Sequence, residues 1–165
     1  MKKIGLFYAT KAERTSWVAE KIQKEFGEDK IEVVPIEQAW QNDFAAYDCF
    51  IVGASTWFDG ELPTYWDELL PELRTMKLKG KKVAIFGLGD QIRYPENFAD
   101  GIGLLAEVFE GGAGWLSIWI ISPNRRKRKS KHGANRSKKS SRNSFVSLYK
   151  IVTLSDANSD GICYG

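Results

Sequence analysis

The sequence predicts an α/β fold, a parallel sheet with helices packed on both of its faces. Three observations lead there. Short, nearly continuous apolar runs of strand length recur along the first two-thirds of the 165-residue chain, as expected of strands covered on both sides. Between them lie stretches whose apolar residues repeat at the helical spacing of three and four. The two patterns alternate, which is the signature of βαβ units whose crossovers keep strands parallel.

Each element can be justified in turn. Lys3 to Tyr8 reads as a first buried strand, followed by a short polar loop from Ala9 to Arg14. A helical pattern then runs to Phe26, with Trp17, Val18, Ile22 and Phe26 on one face and Gly27 as its stop. Ile31 to Ile36 is a second strand, and Pro35, which lacks an N–H, marks it as an edge. Glu37 to Ala46 reads as a loop with a short helix, and Asp48 to Gly53 as a third, buried strand. Pro63 to Arg74 carries Trp66, Leu69, Leu70 and Leu73 at helical spacing despite Pro71. Gly80 opens a fourth strand, Lys81 to Phe86, and a helix with Ile102, Leu105 and Phe109 on one side covers Phe98 to Glu110. Trp115 to Ile121 is the fifth strand. Trp17, Trp66 and Trp115 are expected in or near the core.

Bulk properties bound the function class. The length suits one ordinary domain. No apolar run approaches the roughly 18 residues of a membrane span, and the apolar stretch behind Met1-Lys2-Lys3 is too short for a secretory signal. Two cysteines over 100 residues apart offer neither a disulfide framework nor metal-ligand spacing. Cys49 is expected as a reduced core thiol, and the protein as cytoplasmic. Charge is unevenly distributed. Met1 to Trp115 holds 13 Lys+Arg against 19 Asp+Glu, a net of −6, whereas the remainder holds 11 against 2, a net of +9. An acidic domain is thus followed by a basic tail, and the boundary falls at residues 1–121 and 122–165. Asn124 to Asn143 has ten Lys+Arg and no acid, too little apolar surface to repay its own ordering, so poor order is expected there. No aromatic is interleaved to stack on bases, so no nucleic-acid role is expected. His132, inside this run, is expected in solvent.

Three loops follow three buried strands, so in a parallel sheet they meet at one carboxyl edge, where open α/β sheets bind ligands. Thr10 to Thr15 leads into a helix N-terminus and supplies hydroxyls suited to a phosphate. Ser55 to Glu61 presents Trp57, and Gly87 to Tyr94 presents Tyr94. Two aromatic rings across a crevice form a slot for a planar heteroaromatic ring. Phosphate cradle and slot together suggest a mononucleotide, flavin mononucleotide (FMN) best.

Residues 1 to about 119 resemble a flavodoxin of the longer-chain bacterial kind. Ile4-Gly5-Leu6-Phe7-Tyr8 is similar to that family's first strand, and Thr56-Trp57 with Gly60-Glu61-Leu62 to its second flavin loop. Gly87-Leu88-Gly89-Asp90-Gln91, with Tyr94 and Glu96-Asn97-Phe98-Ala99-Asp100, is similar to its third. The resemblance implies a flavodoxin-like three-layer α/β/α fold with a five-stranded parallel sheet in the order 2-1-3-4-5. It also implies a low-potential one-electron carrier, not an enzyme, that holds FMN noncovalently. Trp57 and Tyr94 would sandwich the ring, with Ser55, Thr56, Gly60, Leu88, Gly89, Asp90 and Asn97 around it. Thr10, Lys11, Ala12, Glu13, Arg14 and Thr15 would meet the phosphate. No catalytic residue and no metal ligand is expected. Acidic surface would steer redox proteins such as ferredoxin–NADP reductase or photosystem I to a monomer.

Two departures stand out. The family's first loop reads Thr/Ser-x-Thr-Gly-x-Thr, where this chain has Thr10-Lys11-Ala12-Glu13-Arg14-Thr15. A hydroxyl is lost at Ala12, and a carboxylate stands at Glu13 beside the expected phosphate. The tail has no counterpart of the family's closing helix, and only Phe145-Val146-Ser147-Leu148 resembles its resumed strand. Two other readings use the same residues: an FMN-dependent NAD(P)H or quinone reductase, and a degenerate module that no longer binds flavin.

Overall fold

The computed structural model describes residues 3–57, 60–88, 100–121 and 149–150. Within them the chain runs β1 (Ile4–Tyr8), α1 (Glu13–Phe26), β2 (Ile31–Pro35), a 3-10 turn (Ile36–Gln38) and α2 (Gln41–Ala45). It continues through β3 (Cys49–Ser55), α3 (Thr64–Arg74), β4 (Lys82–Leu88), α4 (Asp100–Glu110), β5 (Trp115–Ile121) and β6 (Tyr149–Lys150). All strands are parallel, in the order β2-β1-β3-β4-β5-β6. The expected order 2-1-3-4-5 is present, and the two-residue β6 adds a further strand outside β5.

Each central strand alternates its side chains between two cores, the period-2 rule of the pleat. Phe7, Phe50, Val52, Val83 and Ile85 join Leu69, Leu73, Ile102, Leu105 and Phe109 of α3 and α4 on one face. Leu6, Ile51, Ala84, Phe86 and Trp119 meet Val18, Ala19, Ile22 and Phe26 of α1 on the other. A chain of rings ties the first layer together: Phe7 stacks on Phe44 at 3.9 Å, and Phe50 meets Phe44 at 5.5 Å and Phe109 at 5.7 Å. Helices therefore cover both faces, as the apolar runs require. At Gly87 a Cβ would come within 2.1 Å of Ile102 Cγ1, so α4 lies against β4 more closely than any other residue would permit.

Several boundaries move. Glu13 and Arg14 belong to α1 rather than to the loop before it. Ser55 and Leu88 are the last residues of β3 and β4, paired with each other, because the ladder runs on as long as a neighbouring backbone is in register. Trp17 is 56% exposed, not core. The buried stripe of α1 is Thr15, Val18, Ala19, Ile22 and Phe26, and the adjacent Trp17 turns off that face by about 100°. Cys49 is engaged in a disulfide rather than reduced. Pro35 does lie in an edge strand, as its missing N–H implies. Trp66 is fully buried. Most of the basic tail, including His132 and Phe145 to Leu148, lies outside the described residues.

Candidate functional site

The site is built on three adjacent strands. β1, β3 and β4 lie side by side, with Tyr8 paired to Gly53 and Ser55 to Leu88. At about 4.8 Å per strand spacing, their carboxyl ends fall within about 10 Å of one another. The chain leaving each end therefore enters one shared region.

From β1 the chain passes through Ala9–Ala12 into α1. The Ala12 N–H donates to the Ala9 carbonyl at 3.1 Å, turning the chain. Ala12 is the N-cap, with extended dihedrals and no side-chain cap. Thr10 and Thr15 thus do not cap this helix. The first intrahelical bond runs from Ser16 N–H to the Ala12 carbonyl at 2.8 Å. The N–H groups of Glu13, Arg14 and Thr15 consequently have no partner within the helix, the usual state of a first turn. They carry the positive end of the helix dipole and suit an anion. Thr15 is only 2% exposed, whereas Thr10, Lys11, Glu13 and Arg14 face solvent. The Ser16 hydroxyl, a group that no sequence pattern singles out, donates to the Thr10 carbonyl at 2.8 Å and braces the loop.

From β3 the chain reaches Thr56 and Trp57. Trp57 and Glu61 form an antiparallel bridge, with Trp57 N–H donating to Glu61 O at 2.8 Å and Glu61 N–H to Trp57 O at 2.9 Å. Gly60 closes this turn at φ 97°, a conformation that L side chains rarely adopt. Its missing Cβ would sit 2.9 Å from Asp100 Cβ, so the start of α4 is packed against the same turn. Asp100 is a supporting contact that sequence reasoning missed, because the two positions are far apart in the chain. Trp57 is 47% exposed, and this bridge holds its backbone. The Thr56 hydroxyl is buried and finds no hydrogen-bond partner among the described residues. Such an atom costs stability unless a ligand supplies the partner.

From β4 the chain leaves at Leu88, which is half-buried beside Ser55. Gly89, Asp90, Tyr94 and Asn97 lie outside the described residues. The structure therefore brings together the first two loops and the base of the third. Nearby, Tyr8 is pushed above the ordinary phenol value of 10.0, first by burial and then by the charges of Glu20 and Glu37. It stays a neutral phenol through the physiological range.

An uncapped helix start on one side, an exposed indole on the other and an orphaned hydroxyl beside it make a site for a ligand with an anionic end and a flat ring. A family model described as Flavodoxin matches residues 6–114. The flavodoxin of Synechocystis sp. (strain ATCC 27184 / PCC 6803 / Kazusa) is 45% identical over 121 residues, 72% of this chain and 71% of that protein. That of Synechococcus elongatus (strain ATCC 33912 / PCC 7942 / FACHB-805) is 39% identical over 150 residues, 90% and 84% of the two chains. The second alignment is long enough to run beyond residue 121, farther than the resemblance read from the loops. Among solved structures, Fusobacterium nucleatum flavodoxin bound to flavin mononucleotide is similar with a TM-score of 0.64 and 27% identity, covering 70% of this chain and 69% of that one. Oxidised Flavodoxin 1 from Bacillus cereus gives a TM-score of 0.66 at 27% identity, covering 76% and 88%. The chain belongs to the flavodoxin family of flavin-based electron carriers.

Proposed function

We propose that this protein is a low-potential one-electron carrier that holds FMN noncovalently at the carboxyl ends of β1, β3 and β4. The observation that carries the reading is the pairing of an uncapped α1 N-terminus with the exposed Trp57 ring on neighbouring strand ends. The residues fit the group. Thr10, Lys11, Ala12, Glu13, Arg14 and Thr15 would surround the phosphate, with the backbone N–H groups of Glu13, Arg14 and Thr15 as donors. Ser55, Thr56, Trp57 and Gly60 would form one wall for the ring, and the buried Thr56 hydroxyl supplies an unused donor and acceptor there. Leu88, Gly89, Asp90, Tyr94 and Asn97 would form the other wall.

When bound, the flavin supplies the one-electron chemistry that no side chain can. The protein's part is to stack the ring, exclude water from one side and leave an edge open to a partner. Carboxylates near the ring, Glu61 among them, disfavour added negative charge and so lower the potential. The acidic body, net −6 over Met1 to Trp115, would dock redox proteins such as ferredoxin–NADP reductase or photosystem I through electrostatic steering. We place the protein in the cytoplasm as a monomer; among the described residues no helix is long and apolar enough to cross a membrane. We also propose that residues 1–121 form the flavin-binding domain and that 122–165 are a basic tail, of which Tyr149–Lys150 joins the edge of the sheet.

The purified full-length chain should be yellow, with flavin absorption bands, or become so on titration with FMN. It should not oxidise NAD(P)H unaided. A colourless protein that takes up no added FMN would refute the reading, and steady turnover of NAD(P)H alone would replace it with a reductase.

A further inference from the structure

We infer that Glu13 sets the ligand preference of this site, by reducing its discrimination between a flavin carrying a 5′-phosphate and riboflavin, which has none. The inference rests on the reading of the α1 N-terminus as the phosphate subsite.

Three backbone donors, from Glu13, Arg14 and Thr15, stand at the start of α1, and no side chain caps them. A negative charge near a helix N-terminus is stabilising, because it complements the dipole. Glu13 already provides one, on the residue that carries the first of the three donors. An incoming phosphate therefore enters a field that is partly neutralised before it arrives. The exposed charged side chains around the donors are Lys11, Glu13 and Arg14, so two cations are offset by one carboxylate. A phosphate monoester carries close to two negative charges at neutral pH. It gains from Lys11 and Arg14 and loses to Glu13, so the phosphate adds less to the total affinity than it would at the same helix start without the carboxylate.

The ring subsite is built differently. Trp57 is held by its backbone bridge to Glu61, and Thr56 follows the end of β3. Neither depends on the charge at Glu13. Ring binding is thus preserved while the phosphate's share is cut, and the site accepts the dephosphorylated flavin alongside FMN.

The test is titration of the full-length protein with FMN and with riboflavin, followed by quenching of flavin fluorescence. The unmodified protein is expected to favour FMN by less than about tenfold, a gap of about 1.4 kcal/mol. Glu13→Gln, which keeps helix propensity, should tighten FMN by about tenfold and leave riboflavin within about twofold, as expected for loss of one charge–charge repulsion. Added salt should shrink the effect of the substitution, because the groups are exposed. Inorganic phosphate should compete with FMN more strongly in the variant. The melting temperature of each flavin-free protein checks that both fold. A preference for FMN above about tenfold in the unmodified protein would overturn the inference. So would a Glu13→Gln effect equal on both flavins, or none on either, while the proposed function stands because flavin still binds. Failure of the unmodified protein to bind either flavin overturns both.

Discussion

At the scale of single residues, Thr56 is the sharpest case. Its type and its place in the second loop are visible in the sequence, but that its hydroxyl is buried without a partner among the described residues is a property of the packed structure. An unsatisfied buried hydroxyl costs about 1–3 kcal/mol. Thr56→Val keeps the shape and removes the polar atom, so the flavin-free protein should melt at the same or a higher temperature. Flavin affinity should fall at the same time by about three- to tenfold, the worth of one hydrogen bond near 1 kcal/mol. Thermal melts with and without FMN check both halves, and equal loss of stability in the two states would contradict the role assigned to the hydroxyl. Trp17 makes the opposite point. Its spacing placed it on the buried face of α1, yet it is 56% exposed with Lys21 Nζ 5.6 Å from its ring centre. Trp17 and Val18 are neighbours, and a helix turns them apart by about 100°. Apolar character alone could not say which of the two faces inward.

At the scale of elements, periodicity located every strand from β1 to β5 and the helices α1, α3 and α4. It did so because a buried stripe must recur at the helical period whatever its neighbours are. α3 forms across Pro71, which cannot donate to the carbonyl of Asp67 one turn earlier. Three buried anchors, Trp66, Leu69 and Leu73, outweigh that defect. Pro71 is exposed and the helix has only one more turn to run. Pro71→Ala should therefore stabilise the protein by about 1–3 kcal/mol, the interior-proline penalty less the gain in chain entropy. Urea unfolding at fixed m-value tests this, and a destabilised variant would show that the ring packs on something the sequence does not name. Strand ends were less legible. Ser55 and Leu88 read as loop residues, yet they extend β3 and β4 because each is the other's partner.

At the scale of the whole molecule, burial and charge combine in the tyrosines. Tyr65 is pushed from 10.0 to about 12, first by burial and then by the charge of Glu37. Burial is also the leading cause at Tyr8 and Tyr47, both raised, with Glu32 adding to Tyr47. A raised phenol keeps its proton in the folded chain while the unfolded chain loses it. The stability this contributes is complete below the unfolded value near pH 10 and is lost as pH rises towards about 12. Urea midpoints should fall across that window, and Tyr65→Phe should flatten the fall in part, since Tyr8 and Tyr47 titrate in the same sense. An unchanged slope in Tyr65→Phe would remove Tyr65 from the account. The same scale separates an acidic body from a basic tail, the asymmetry that underlies the proposed docking of redox partners.

Fold class, strand number in the body and the three loops at one sheet edge were legible from residue type and spacing. These depend on local periodicity and on the rule that parallel strands end at a common edge. The flavin slot is proposed as a list of residues drawn from loop resemblance. Position was legible only through that resemblance, which implied the order 2-1-3-4-5; that β1, β3 and β4 stand next to one another is a consequence of long-range pairing. So is the sixth strand against β5, which the basic composition around it conceals. The uncapped start of α1 and the bridge that fixes Trp57 arise from backbone bonds, which depend on where the chain returns and only weakly on which side chains it carries. Glu13 joins the two levels. The sequence supplies a carboxylate, and only the fold sets it at the positive end of a helix, against the phosphate the site is proposed to hold.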